Sequence, residues 1–347
     1  MSRIALIPGD GIGREVTAEA ARVLAALGGE PLELVEWDLG AERYLRTGHT
    51  ISDEEMAELA SAYDAVLLGA MGDPRVPDNT HARDILLGMR FRLDLYVNLR
   101  PVRLLDAAHS PLKGVRPEDV DLLIVRENTE GAYVGLGGTF KGGTPDEVAI
   151  EEDVNTRKGV ERIVRAAFEL ARDGGRRKVT LADKANAMRH AGALWRRTFA
   201  EVAEEYPDVE HEAAYIDALC MDLVLRPARY DVIVASNLFG DIVSDVAAGL
   251  VGGLGLAPSA NLHPGRTGLF EPVHGSAPDL AGGSRANPLA AILTAALMLE
   301  HLGRPVDAER VRGAVEEVIR SGATTPDLGG TLTTTEVGER VCAALPS

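Results

Sequence analysis

The 347-residue chain reads as an α/β protein of two domains. Three observations predict this. Strand-like and helix-like segments alternate through most of the length, the pattern left by parallel strands joined by helical crossovers. Apolar residues make up 46% of the chain, which supports large buried cores and excludes disorder as the main state. The length is about twice the ~150 residues of a common domain.

Arg3–Pro8 is a short apolar strand, and Gly9–Gly13 a glycine-rich turn. Glu15–Leu27 places Val16, Ala20, Val23, Leu24 and Leu27 on one helical face. Ala65–Gly69 and Val120–Val125 are apolar enough to be buried strands. Asn155–Arg172 is a long amphipathic helix. Lys178–Ala182 and Asp231–Ala235 are further strands, each followed by a helical run. Residues 135–145 interrupt the alternation and suggest a hairpin or arm. Gly252–Gly268 reads as loop-rich, and Ala290–Leu299 as a buried helix.

Composition excludes several classes. Asp and Glu number 53 against 36 Lys and Arg, a net charge of −17, so a phosphate backbone would be repelled and nucleic acid is not the expected partner. No apolar run reaches the ~18 residues of a membrane helix. The opening MSRIALIPGD reads as a first strand, not a signal peptide. Two cysteines, Cys220 and Cys342, make neither a disulfide framework nor a zinc cluster, which points to a reducing cytoplasm.

Several constellations carry chemistry. The Gly9–Gly13 turn fails as a dinucleotide fingerprint, because Val16 stands where the third glycine should fall. A tight turn that brings backbone close to another segment is the better reading. Arg90, Arg100 and Arg126 each adjoin apolar or aromatic residues. Singly they read more readily as surface or ion-paired residues. Together they suit a small ligand with several carboxylates, since guanidinium forks match carboxylates and stay charged when desolvated.

From Tyr230 to Gly265 there is no Lys or Arg. Within that stretch Asp241 and Asp245 lie four apart, on one helical face. A solvated acidic face is one reading. A divalent cation relieving their repulsion is the other, and oxygen ligands suit Mg²⁺ or Mn²⁺. Asp217 sits in a second apolar segment as a candidate third ligand. Lys184 follows a strand, where α/β enzymes place chemistry, and is a candidate general base. Tyr133 is a candidate proton donor. Residues 270–282, then Ala286-Asn287-Pro288, have the small residues of a loop wrapping a flat polar ligand. Asp279 there suits a ribose diol and would repel a 2′-phosphate.

The segments IPGDGIG, LDLYVNLRP, VRENTEG, SNLFGDIVSD, GLGLAPSAN and FEPVHGSAPD resemble signatures of the β-decarboxylating 2-hydroxyacid dehydrogenases. That family includes 3-isopropylmalate, isocitrate, homoisocitrate and tartrate/D-malate dehydrogenases. The resemblance spans nearly the whole chain. It implies the isopropylmalate dehydrogenase-like fold, not a Rossmann fold, in a homodimer or a tetramer. One domain would be 1–98 plus 251–347, the other 99–250, with an arm near 135–150 at the dimer interface. It implies that Arg90, Arg100 and Arg126 hold the malate carboxylates. Asp217, Asp241 and Asp245 would hold Mg²⁺ or Mn²⁺, with Lys184 and Asp217 reaching in from the neighbouring subunit and K⁺ as a possible activator. Ile12, His274, Gly275, Ser276, Ala277, Asp279, Leu280 and Asn287 would bind NAD, with Glu271 and Asn186 near the nicotinamide. NADP-using relatives carry Lys and Tyr where this chain has Asp279-Leu280.

The implied reaction is NAD-dependent oxidative decarboxylation of a substituted malate, with Lys184 as base and Tyr133 as acid. Apolar Leu86 and Leu87, on a helix before Arg90, suit an isopropyl side chain and hence 3-isopropylmalate. Homoisocitrate enzymes place Arg at the position of Leu87. GDPRVPD, Ile216–Cys220 and APSANL resemble tartrate/D-malate enzymes, and VRENTEG departs from the isopropylmalate pattern. A non-catalytic regulatory subunit would lack metal or base residues, and all of them are present here.

Overall fold

The computed structural model describes residues 1–346. The chain forms two compact units, one from 1–95, 100–120 and 248 onward, the other from 96–99 and 121–247. It enters the first unit with β1 (Ser2–Gly9), α1 (Gly13–Ala26), β2 (Leu32–Glu36), α2 (Ala41–Thr47), α3 (Asp53–Ala62) and β3 (Ala65–Ala70). Then come α4 (Thr80–Ala82), a π-helical turn (Arg83–Leu87) and α5 (Gly88–Arg92). The next strand, β4 (Val97–Arg103), is divided between the units. The second unit holds β5 (Asp121–Glu127), the hairpin of β6 (Gly137–Phe140) and β7 (Val148–Glu151), α6 (Arg157–Asp173), β8 (Lys178–Asp183) and α7 (Arg189–Ala203). It continues with β9 (Glu210–Tyr215), α8 (Ile216–Leu225), β10 (Val232–Ala235) and most of α9 (Asn237–Leu250). The chain returns to the first unit with β11 (Pro258–Leu262), β12 (Gly268–Pro272), α10 (Leu289–His301), α11 (Pro305–Arg320) and α12 (Thr334–Ala344).

In the first unit the strand order is β2-β1-β3-β12-β11. Pairing is parallel except between β11 and β12, which form an antiparallel hairpin. Helix α10 is buried along nearly its whole length and packs against β11, β12, α1 and α11. A helix without a polar face has to lie between layers. Full burial of its Leu289, Ile292 and Leu299 contributes about 1.5–3 kcal/mol per side chain. The expected face of α1 is the buried one: Val16, Ala20, Val23, Leu24 and the following Leu27.

Two expectations change here. The stretch read as loop-rich contains β11, whose residues Pro258–Asn261 are all buried. A strand covered on both faces has no alternation for periodicity to detect. Residues 100–120 also cluster with the terminal segments instead of the middle of the chain. The Leu104 amide donates to the Val120 carbonyl at 2.9 Å, and Arg103 pairs with Glu316 of α11 at 2.8 Å.

In the second unit the order is β5-β10-β8-β9, all parallel. Thr156 caps α6, its hydroxyl accepting from the Gly159 amide at 3.0 Å. The buried face of α6 carries Val160, Ile163, Val164, Ala167 and Phe168. Phe168 packs on Phe199 of α7 and on Tyr206, with ring centroids 5.5 and 5.2 Å away. Register then does the positioning. Ala235 lies opposite both Arg126 and Ala182, and Asp183 lies opposite Tyr215. Parallel strands present their carboxyl ends on one edge, which is where such sheets place ligands.

Phe168→Ala should cost about 3–5 kcal/mol of stability, because a fully buried ring leaves a cavity between two helices. Urea unfolding checks this, and a loss below about 1 kcal/mol would show that the site collapses freely.

Candidate active site

In the first unit the site begins at the glycine turn. Gly9 and Gly11 hold φ of 71° and 52°, conformations open to glycine at little cost. A Cβ on Gly11 would lie 2.0 Å from the Ser276 carbonyl oxygen. The segment that the turn approaches is therefore the loop after β12. The Ile12 amide donates to that same oxygen at 2.8 Å. Gly11, Gly72, Pro278, Ala281 and Gly282 line one groove of about 550 Å³, within the size range of a cofactor site. Ala277 in this loop has φ of 36°, a strained value for a residue with a side chain. Gly275, Asp279 and Leu280 are exposed, and Ser276 is buried.

His274 is half-buried. Burial pushes its imidazole below the ordinary 6.5, keeping it neutral. Its Nδ1 faces the Gly275 carbonyl at 3.0 Å, and its Nε2 is buried with no partner among the described residues. An orphaned buried nitrogen fits a polar ligand in this loop. Asn287 is engaged instead: its Oδ1 accepts from the Leu289 amide at the start of α10, and its Nδ2 donates to Asp327 at 2.9 Å.

Arg90 and Glu271 form a buried pair, Nη2 to Oε1 2.7 Å, and Asn261 Nδ2 donates to the same Oε1 at 2.9 Å. Arg90 Nε is buried without a partner among the described residues, a donor suited to an anion. Arg100 is buried on β4. Leu86 and Leu87 lie in a π-helical turn, not in the α-helix expected there, and such turns recur at functional sites. The turn also separates the two leucines. Leu86 packs against the core cluster of Ile7, Met56, Leu68 and Ile85, whereas Leu87 is half-buried and outside that cluster.

Sequence reasoning missed His81. It is fully buried, with Nε2 2.7 Å from Asp10 Oδ2. Asp10 also accepts the Ala41 and Gly72 amides at 2.7 and 2.8 Å. This pair ties the glycine turn to the segment carrying Leu87 and Arg90. Histidine within Thr80–Ala82 has no spacing to a partner that a sequence displays.

In the second unit Arg126 ends β5 and is among the largest fully buried side chains. Its Nε and Nη2 donate to Asn237 Oδ1 at 3.1 and 2.7 Å, and its Nη1 to Asp241 Oδ1 at 2.5 Å. Tyr133 donates its hydroxyl to Asp241 Oδ2 at 2.6 Å, with the Arg126 guanidinium 5.2 Å from its ring centre. Burial, then the Asp241 carboxylate, raises the phenol above its ordinary 10, so it stays protonated at neutral pH. Asp241 therefore has a cation beside it after all, supplied by β5 and invisible in its own stretch of sequence. Gly240 is required: a Cβ there would fall 2.5 Å from Arg126 Cγ. Asp245, one turn along α9, is exposed.

Lys184 Nζ lies 2.6 Å from Asp217 Oδ2, and that bond holds the carboxyl below the ordinary range. Asn186 is exposed in the turn that follows β8. No group of three or more His, Cys, Asp or Glu side chains suited to a metal occurs among the described residues. Asp217 is thus not brought to Asp241 and Asp245 within the chain. No described helix is long and apolar enough to cross a membrane.

The profile of the isocitrate/isopropylmalate dehydrogenase family matches residues 3–341. The chain belongs to this family. Among its relatives, a 3-isopropylmalate dehydrogenase of Thermobifida fusca is 48% identical over 98% of this chain and 96% of its own. That of Corynebacterium glutamicum is 50% identical over 99% and 100%. The crystal structure of isocitrate dehydrogenase from Methylococcus capsulatus superposes with a TM-score of 0.92 at 39% identity, covering both chains completely. An apo β-decarboxylating dehydrogenase from Thermococcus kodakarensis gives 0.82 at 38% identity, over 99% of this chain and 96% of that one. The isocitrate/isopropylmalate dehydrogenase fold fits the failed dinucleotide fingerprint.

His274 supplies a pH test of this member of the family. Its native pKa is lowered, so the unfolded chain binds the proton first and stability falls as pH drops through 6.5. His274→Gln should flatten the fall in melting temperature between pH ~7 and ~5.5. An unchanged slope would show that His274 takes up its proton freely in the folded protein.

Proposed function

We propose that the chain catalyses the NAD⁺-dependent oxidative decarboxylation of (2R,3S)-3-isopropylmalate to 4-methyl-2-oxopentanoate, CO₂ and NADH, a step of leucine biosynthesis. The observation that carries the reaction is the Arg126–Asp241–Tyr133 cluster, which joins a carboxylate receptor, a cation ligand and a protonated acid. The substrate rests on relatives about half identical over their full length that bear the 3-isopropylmalate dehydrogenase name, and on half-buried Leu87.

Arg90, Arg100 and Arg126 hold the malate carboxylates. Each is buried, and guanidinium forks match carboxylates bidentately and stay charged when desolvated. Asp241 and Asp245 provide two oxygen donors one helical turn apart, which fit a hard cation but leave its set incomplete. Asp217 of a second copy would complete it. Mg²⁺ or Mn²⁺ held by these aspartates would supply Lewis-acid charge to the substrate, with K⁺ as an activator. The Gly11 turn and Asp279 would hold NAD⁺, Asp279 as acceptor for its ribose diol, and the bound cofactor would supply the hydride acceptor. Lys184 of the second copy takes the C2 hydroxyl proton as the hydride leaves. The β-keto acid then loses CO₂, and Tyr133 delivers its proton to C3. Glu271, paired with Arg90, and Asn186 are the residues that would meet the nicotinamide.

The second copy has physical support. Met221 and Leu225 on α8 are 60% and 65% exposed, and Leu238 and Ile242 on α9 41% and 47%. Phe140 and Ile150 on the β6–β7 hairpin are 66% and 52% exposed. Large apolar side chains left bare on three elements of one unit support an association face there.

Two experiments test these readings. Lys184→Ala and Asp241→Asn should each be inactive alone. Mixed dimers reconstituted from both should regain NADH formation, because one of the two shared sites is then intact. No recovery, with mixed dimers demonstrated by mass spectrometry, would place both residues in one site of one chain. The second experiment compares 3-isopropylmalate, D-malate, tartrate and homoisocitrate with Mn²⁺. Leu87→Arg should lower kcat/KM for 3-isopropylmalate by about tenfold or more, while D-malate, lacking the side chain, changes least. Unchanged 3-isopropylmalate kinetics would remove Leu87 from the specificity pocket.

A further inference from the structure

The turn after β8 is held more tightly than a surface lysine needs. Asp183, the last residue of β8, is buried, and its Oδ1 accepts from the Ala185 amide at 3.0 Å. Arg196 of α7 grips the same carboxylate with both arms of its fork, Nε to Oδ2 2.6 Å and Nη2 to Oδ1 3.1 Å. Four residues earlier on α7, Gly192 meets the Ala185 backbone so closely that a Cβ would fall 2.4 Å from Ala185 Cα. Both sides of Lys184 in the chain are therefore clamped, one by a charge-assisted fork and one by packing.

The side chain of Lys184 has a matching support. Asp183 lies opposite Tyr215 in the β8–β9 register, so Lys184 and Asp217 leave neighbouring strand ends together. The Tyr215 ring carries two cations: Arg196 Cζ lies 4.9 Å from its centre and Lys184 Nζ 5.9 Å. The Lys184 ammonium reaches Asp217 from there. A flexible four-carbon stem is held at its tip by a ring and a carboxylate, both fixed at the end of one strand pair.

We propose that Asp183, Arg196 and Tyr215 are positioning residues for Lys184, and that the Tyr215 ring fixes where its ammonium rests. Arg196 braces that ring while holding Asp183, so a single fork sets both the backbone and the side chain of Lys184. The inference rests on the reading of Lys184 as the base only for its catalytic consequence; the placement of the side chain stands apart from it.

The test uses Tyr215→Leu and Tyr215→Phe in the full-length protein. Misplacing a catalytic group by about 1 Å costs up to ~10²-fold, so Tyr215→Leu should lower kcat by about tenfold or more while KM for NAD⁺ stays within about twofold. Tyr215→Phe keeps the ring and should restore at least about half of kcat. Acetic anhydride labelling, resolved by mass spectrometry, reads placement without activity. Lys184 should be acetylated about threefold faster or more in Tyr215→Leu once its ring contact is gone, relative to exposed Lys158. If Tyr215→Leu does not fold, Arg196→Lys serves. It keeps the charge on Asp183, loses the two-armed fork and the guanidinium over the Tyr215 ring, and should move kcat and labelling in the same directions. Wild-type kcat and wild-type labelling in the folded variant would overturn the proposal. Retained activity in Lys184→Ala would sink the assignment of the base instead, and the labelling result would still decide whether the platform exists.

Discussion

A buried guanidinium governs the second unit. Arg126 lies at the end of β5 with almost no exposure, where an unpaired charge would be costly by several kcal/mol. Its surroundings answer that constraint group by group. Asn237 accepts from two of its nitrogens and Asp241 from a third, both from the start of α9. Gly240 leaves the room that its stem occupies. Because Asp241 is held by Arg126, its second oxygen is fixed as the acceptor for Tyr133. One ion pair thus orients Arg126, Asp241 and Tyr133 together. Glu130 steadies the same loop from below, accepting the Thr156 amide and hydroxyl at 2.8 and 2.5 Å.

The first unit uses backbone where the second uses charge. Its glycine turn approaches the Ser276 carbonyl too closely for any side chain at Gly11, and Asp10 binds two further loops and His81 from the same turn. The loop after β12 is consequently shaped by contacts its own residues do not announce. Its strained Ala277 and orphaned His274 nitrogen persist because the surrounding bonds over-determine the loop, which is the usual condition for strain at a functional site.

Incompleteness is a third property of the chain. Among the described residues the two aspartates on α9 have no third metal-suited side chain grouped with them, while Lys184 and Asp217 form a pair elsewhere in the same unit. Bare apolar side chains on α8, α9 and the hairpin belong to the same unit as both. On the proposed reading these facts have one cause: a site divided between two copies needs an association face on the unit that exports part of it.

What the sequence determined by itself was chemistry and layering. Alternating segments dictated an α/β fold, since their periods follow from local geometry. The failure of the glycine fingerprint at Val16 argued against a Rossmann turn. The residues of the Arg126, Asp241 and Tyr133 cluster were legible because their types and flanking signatures are local features of the chain. The tertiary structure alone decided how they are paired. Arg126 relieves Asp241 across more than a hundred residues of sequence, and no spacing rule reaches that far. Strand β11 was hidden because a segment buried on both faces has no period. Leu86 and Leu87 were indistinguishable as adjacent apolar residues until a π-helical turn sent one to the core. The Asp183–Tyr215 register was equally beyond the sequence, because a parallel pair joined by a long crossover sets its alignment through packing, not through a turn.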